Sequence, residues 1–170
     1  INLDGKSIAR NFGTYGKMWR INTDIRRCVA EKCETAMRGG FELQKVNKTD
    51  GVKKVAYDPD FLDALGNVGE LKTKIITTLE IFGDVFIRRK RNIRKKVIGY
   101  EVLDTRSISI VTDSFLVPIR YLYERRAQNT YAQEVYTPED IFHASNGYNF
   151  DNVLFGVTIM ETLVLDVLGD

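Results

Sequence analysis

Leu79-Glu80-Ile81-Phe82-Gly83-Asp84-Val85-Phe86-Ile87-Arg88 is the stretch at which the chain changes its period. Before it, Leu71, Ile75, Leu79 and Phe82 recur along one face of a helix predicted from about 70 to 82, and Gly83 closes that helix. After it the period is two. Val85 and Ile87 alternate with Phe86 and Arg88, Tyr100 and Val102 with Glu101, and Ile108 and Ile110 with Ser107 and Ser109, while Val117, Ile119, Tyr121 and Tyr123 line one side of a further run. Such short segments joined by polar or charged links predict an antiparallel sheet or meander, with Thr130 to Tyr136 as its last strand.

Upstream, the spacing of Ile21, Ile25, Cys28, Val29 and Ala36 predicts a helix over 24–38, capped by Asn22, Thr23 or Asp24 and ended at Gly39-Gly40. Phe41 to Val46 reads as a short strand with Asp50-Gly51 as a turn, and Asp58-Pro59-Asp60 as a helix start interrupted at Gly66 and Gly69. Residues 1 to 20, with Gly5, Gly13 and Gly16 among Phe12, Tyr15, Met18 and Trp19, predict a loose arm whose aromatics dock elsewhere. Downstream, Thr137-Pro138-Glu139-Asp140 predicts one brief helical turn, and Ile141, Phe142 and His143 lead into a loop from Ser145 to Asn152. Gly156 then opens a last helix with Ile159, Leu163 and Val167 on its apolar face. Helices, then sheet, then helix give an α+β class, with an arm over 1–20 and a single body over 21–170.

Hydrophobic residues at 44% and charged residues at 28% predict a folded core. Twenty-five Lys and Arg against 23 Asp and Glu leave +2, too little for general attraction to nucleic acid. Cys28 and Cys33, turned about 140° apart if on one helix, cannot easily bridge. No signal peptide pattern opens the sequence, and Phe155 to Leu168, with Glu161 and Asp166, is too short to span a bilayer, so a soluble protein is expected. The start at Ile1 and the stop at Asp170 within an apolar helical pattern predict a piece of a longer chain.

Chemistry is sparse. A P-loop and the dinucleotide fingerprint are both missing, and Gly13-Thr14-Tyr15-Gly16-Lys17 has the wrong spacing and no strand before it. One histidine and two distant cysteines do not make a zinc site, and Asp58, Asp60 and Asp63 are explained by capping and the helix dipole. His143 follows an apolar pair, which points to a hydrogen-bonded structural or interface residue, and Ser145 lacks an activating context. No catalytic, cofactor or metal residue is therefore assigned. Arg88, Arg89, Lys90, Arg91, Arg94, Lys95 and Lys96 crowd seven cations into nine residues, which predicts a solvated hairpin tip unless a polyanion or neighbouring subunit neutralises it. Tyr148 and Phe150, aromatics in a loop, suit a protein interface.

Four segments in order resemble the portal proteins of tailed bacteriophages. Trp19 to Val29 is similar to that family's helix entry, Leu79 to Ile87 to its helix, glycine and strand, and Gly99-Tyr100-Glu101-Val102-Leu103-Asp104 to the continuation of its sheet. Tyr136-Thr137-Pro138-Glu139-Asp140-Ile141-Phe142-His143 followed by Leu154-Phe155-Gly156-Val157-Thr158 resembles the portal pattern of proline with an acidic pair, an apolar pair with histidine, and a glycine before a helix. Thr158 stands where many relatives have serine followed by proline, and the basic Asn92-Ile93 region replaces a turn glycine.

The resemblance implies a structural subunit, not an enzyme and without a cofactor, in a ring that is commonly dodecameric and sits at the portal vertex of a virion after assembly in the bacterial cytoplasm. Double-stranded DNA passes through such a ring, which docks the terminase motor, capsid or scaffold and head-tail connector proteins. This chain would supply the wing-like body, truncated before the channel loop, clip and crown. The oligomer interface is then expected at Tyr148, Phe150, Ile159, Leu163 and Val167, and a polyanion or neighbour-subunit contact at Arg88, Arg89, Arg91, Arg94, Lys95 and Lys96. Two other readings are a small basic-hairpin module that binds nucleic acid and a metal-dependent nuclease domain.

Overall fold

A computed structural model of the chain describes residues 6–8, 12–40, 44–46, 53–55, 59–127, 130–147, 154–158 and 160. Its class is α+β, as the order of elements in the sequence predicts. Strand β1 (Lys6–Ile8) precedes helices α1 (Gly13–Ile21) and α2 (Thr23–Arg38), the ribbon β2 (Gln44–Val46) and β3 (Lys53–Val55), and helices α3 (Pro59–Leu65) and α4 (Val68–Phe82). Strands β4 (Asp84–Arg91), β5 (Val97–Val102), β6 (Ile108–Thr112), β7 (Pro118–Ala127), β8 (Thr130–Tyr136) and β9 (Ile141–Ser145) follow, with a 3-10 turn at Thr105–Ser107.

The strands divide into two antiparallel layers beside the small ribbon. One has the order β1-β6-β7-β8 and the other β5-β4-β9. The expected last strand is thus not the last, because β9 pairs along β4 from Asp84↔Ser145 to Arg88↔Ile141. The sequence predicts instead that Ile141, Phe142 and His143 lead into a loop from Ser145, since so short a stretch after a helix-start signal carries little period of its own. The turn before it is as expected: Asp140 N–H and Ile141 N–H donate to Thr137 O at 3.0 and 3.3 Å, and Thr137 Oγ1 donates to Asp140 Oδ2.

The helices start where side chains can take up free N–H groups. Asn22 Oδ1 accepts from Asp24 and Ile25, opening α2, and Asn67 Oδ1 accepts from Glu70, opening α4 two residues earlier than the spacing suggests, with Gly69 inside the helix. Gly83 closes α4 at φ 77° as expected. The first 20 residues are more regular than their glycines suggest. Lys6–Ile8 extends a sheet edge against β6, residues 13–21 are helical, and Phe12 is fully buried.

Phe12, Phe86, Leu103, Ile108, Ile110, Tyr121, Ile141, Leu154 and Phe155 form the main core, where Phe86 of β4 meets Tyr121 of the other layer. A second cluster, Ile25, Val29, Cys33, Ile81 and Met160, joins α2 to α4. Burial of a side chain such as Phe86 is worth about 1.5–3 kcal/mol, so β4, buried from Asp84 to Ile87, is the strand on which the layers depend.

Candidate assembly surfaces

The junction between α4 and β4 holds a buried carboxylate. Asp84 is wholly buried, and its Oδ1 and Oδ2 accept the Gly156 N–H at 3.0 and 3.1 Å while Oδ1 lies 2.9 Å from His143 Nε2. This hydrogen bond between His143 Nε2 and Asp84 fixes the imidazole, which is held flat on Phe86, its ring centroid 4.3 Å away. His143 therefore has the structural role that its sequence position suggests. Gly156 itself is not helical; the helix expected after it is described only at Met160, whose N–H donates to Thr158 Oγ1 at 3.1 Å. Gly156 lies close against the backbone, where a Cβ would come within 2.6 Å of Asn146 N, and a Cβ on Gly83 would lie 2.9 Å from Gly156 O. Asn146 N–H donates to Gly83 O and Val157 N–H to Asn146 O, both at 2.7 Å, and Thr158 Oγ1 donates to Ile81 O at 2.6 Å. These bonds lock residues 156–158 to the end of α4.

The basic run forms the β4–β5 hairpin, as expected of it, but most of its charge is neutralised within the fold. Arg88 bonds Glu101 at 2.5 Å and Glu134 at 3.1 Å, Lys90 lies 3.3 Å from Glu101, Arg91 pairs with Asp140 at 3.1 Å and Lys96 with Asp60 at 2.6 Å. Arg89 donates to Glu139 O. Burial opposes ionisation of Glu101, yet Lys90 and Arg88 hold its carboxyl below the usual carboxylate range. Tyr136 bonds both Arg88 and Glu134, so this network ties the β5-β4-β9 layer to β8. Of the run, Arg94 and Lys95 alone have no side-chain partner among the described residues, and they follow the fully exposed Ile93. Two free cations are a small footprint for a polyanion.

A second hairpin repeats the backbone of the first with different side chains. At the β4–β5 tip, Asn92 Oδ1 accepts from Arg94 and Lys96 (both 3.0 Å), Asn92 N–H donates to Lys96 O, Lys95 N–H donates to Asn92 O, and Lys95 has φ 60°. At the β6–β7 tip, Asp113 Oδ1 accepts from Phe115 (2.9 Å) and Val117 (2.8 Å), Asp113 N–H donates to Val117 O, Leu116 N–H donates to Asp113 O, and Leu116 has φ 62°. Both place a non-glycine residue in the left-handed region, at a cost of about 1–2 kcal/mol. The β6–β7 tip presents Phe115 at 84%, Leu116 at 48% and Val117 at 54% exposure on a turn that is fully bonded inside. Three adjacent apolar side chains are thus held exposed on an ordered turn. The period of two places Val117 and Ile119 on a strand face and does not show this tip; the signal it offers is Asp113-Ser114 followed by the apolar Phe115-Leu116-Val117.

The other interface residues expected from the sequence, Tyr148, Phe150, Ile159, Leu163 and Val167, lie outside the described residues, as does the Asp50-Gly51 turn. The expected C-terminal helix is described only at Met160, which is helical and fully buried. Cys28 is exposed and Cys33 buried, with both thiols free. Among the described residues no three His, Cys, Asp or Glu gather as metal ligands would, and no helix is long and apolar enough to cross a membrane.

No family model and no curated protein matches the chain. Solved structures do. A chain in the neck of an empty gene transfer agent particle, computed with C6 symmetry, superposes with a TM-score of 0.72, and one in the neck of the native particle, computed with C12 symmetry, with 0.71. The fold is shared with neck chains. A chain of the native gene transfer agent virion matches with a TM-score of 0.70, again at 14% identity and over 96% of this chain. The present chain spans 44% of the length of each of these three neighbours.

Proposed function

We propose that this chain is the wing-like body of a portal-type subunit in the neck of a phage or phage-like particle. The observation that carries this reading is the shared fold over 96% of the chain with components of necks described under C6 and C12 symmetry. In this reading the work is structural. Copies of the full protein close a ring, commonly of twelve, at the portal vertex of the virion, and double-stranded DNA passes through its centre during packaging and ejection. Terminase, capsid or scaffold and head-tail connector proteins dock on it, the chain performs no catalysis of its own, and assembly takes place in the bacterial cytoplasm.

The geometry favours a scaffold in two ways. The only histidine and the buried Asp84 are engaged with Phe86 and Gly156 in holding the fold, where no reactant could reach the carboxylate. The basic hairpin is largely occupied with internal ion pairs, so DNA passing nearby would meet Arg94 and Lys95 more than the run as a whole. Particle imaging and sedimentation of the full-length protein test the reading. Closed annuli are expected, and a chain that stays monomeric at high concentration rejects it.

A further inference from the structure

The apolar β6–β7 tip has a concave counterpart on the same chain. Between the outer faces of α2 and α4 lies a groove of about 620 Å³, lined by Cys28, Glu31, Lys32, Thr35, Ala36, Ile76 and Glu80. Its charges are already paired: Lys32 Nζ bonds Glu80 at 2.8 Å, and Glu31 accepts from Arg27 at 3.0 Å. What such a groove can take is an apolar projection without a charge of its own to desolvate. The β6–β7 tip fits that description, because it carries no cation and its one carboxylate, Asp113, is turned back onto the N–H groups of Phe115 and Val117. The basic tip does not, since Arg94 and Lys95 would find the carboxylates of the groove taken. The hollow beneath β5 is a poorer match for an apolar tip, being ringed by Glu70, Lys74, Lys90, Glu101 and Asp104.

Tip and groove belong to different parts of one copy. Strand β7 packs on β6, β8 and the 3-10 turn, and α2 on α1 and α4. A contact between two unlike surfaces of the same chain is head-to-tail and repeats from copy to copy, closing into a ring when the rotation allows. We propose that the β6–β7 tip of one copy seats in the α2–α4 groove of a second copy, with Phe115 as the anchor and Leu116 and Val117 beside it. The ring form of this contact rests on the function proposed above. A rigid tip also limits the ordering that association must impose, because its turn is already fixed in the free chain.

The groove carries its own reporter in the exposed thiol of Cys28. In the full-length protein, Ser114→Cys puts a second thiol beside Phe115, and a short bis-maleimide should then join copies into covalent multimers, with the link mapped to Cys28 by mass spectrometry. The ladder should vanish when Cys28→Ser is added, and Phe115→Ser should weaken self-association by at least about tenfold, as loss of a buried aromatic anchor does. Both substitutions are at exposed positions, so folding checked by circular dichroism should be unchanged. Multimers that persist without Cys28, or none at all, overturn the contact. Imaging the same samples separates this from the ring reading: annuli without the link reject the tip and groove and keep the ring, whereas linked multimers that never close support the contact and reject the ring.

Discussion

The two hairpin tips share a backbone and differ in what they hold out. In each, one Asx side chain accepts two N–H groups, the residue three positions on is left-handed, and the ends are bonded to each other. Their shafts are built differently. The β4–β5 hairpin is braced at Arg88 and Lys90 by its own Glu101, and at Arg88 and Arg91 by Glu134 of β8 and Asp140 of the turn before β9, whereas the β6–β7 hairpin is seated by the buried Ile108, Ile110, Val111 and Tyr121. The same turn chemistry can thus close a hairpin whose cations face inward partners or one whose apolar residues await an outside partner, and the turn alone does not say which.

Breaking the foundation that both hairpins share should have the largest effect. Phe86 on β4 meets the Tyr121 ring of β7 with centroids 5.9 Å apart, so Phe86→Ala should cost about 3–5 kcal/mol and loosen both tips together. Denaturant unfolding gives the cost, and hydrogen exchange at the two turns shows whether they loosen together; loosening of one tip alone would mean that the layers are stabilised separately.

A smaller effect sharpens the comparison. Glycine at either left-handed position relieves about 1–2 kcal/mol of strain and adds about 0.5–1 kcal/mol of unfolded-chain entropy, so Lys95→Gly and Leu116→Gly should each stabilise the fold by up to about 1 kcal/mol in thermal unfolding. Only Leu116→Gly should weaken self-association. Equal loss at both positions would show that turn rigidity matters and the displayed side chain does not.

The smallest effect is on pH. The carboxyl of Glu101 sits below the ordinary glutamate value of 4.5 in the fold, so its contribution is present above that pH and is lost as pH falls from about 4.5 through the lowered folded value. Acid titration followed by hydrogen exchange should therefore loosen β4–β5 progressively below pH about 4.5, and Glu101→Gln should remove that pH dependence while leaving the β6–β7 tip unchanged.

What could be read from the sequence follows the strength of the local signal. Helix α2 and the strands from β4 to β8 were legible because their apolar residues recur over many positions and are bounded by Asn22, Gly83 or charged links. Strand β9 was not, since Ile141 to Ser145 owes its extended form to pairing with β4, a partner more than fifty residues away. The glycine at 156 also meets a close approach to Gly83 and Asn146 that no local pattern encodes. The basic run was legible as a hairpin but not as a largely neutralised one, because Glu134, Asp140 and Asp60 reach it only in the fold. The apolar tip went unnoticed since Asp113-Ser114-Phe115-Leu116-Val117 lacks the glycine that usually announces such a turn.

The paired glycines at 83 and 156 decide how this body withstands being pulled. Tension on the polypeptide beyond Met160 does not peel a strand off an exposed edge; it reaches the seam where α4 becomes β4, through the bonds from Gly156 to Asp84 and from Thr158 to Ile81. Those bonds are loaded together, with the carboxylate at their centre shielded from competing water, so the two clusters of the core would have to open before the chain could be drawn free.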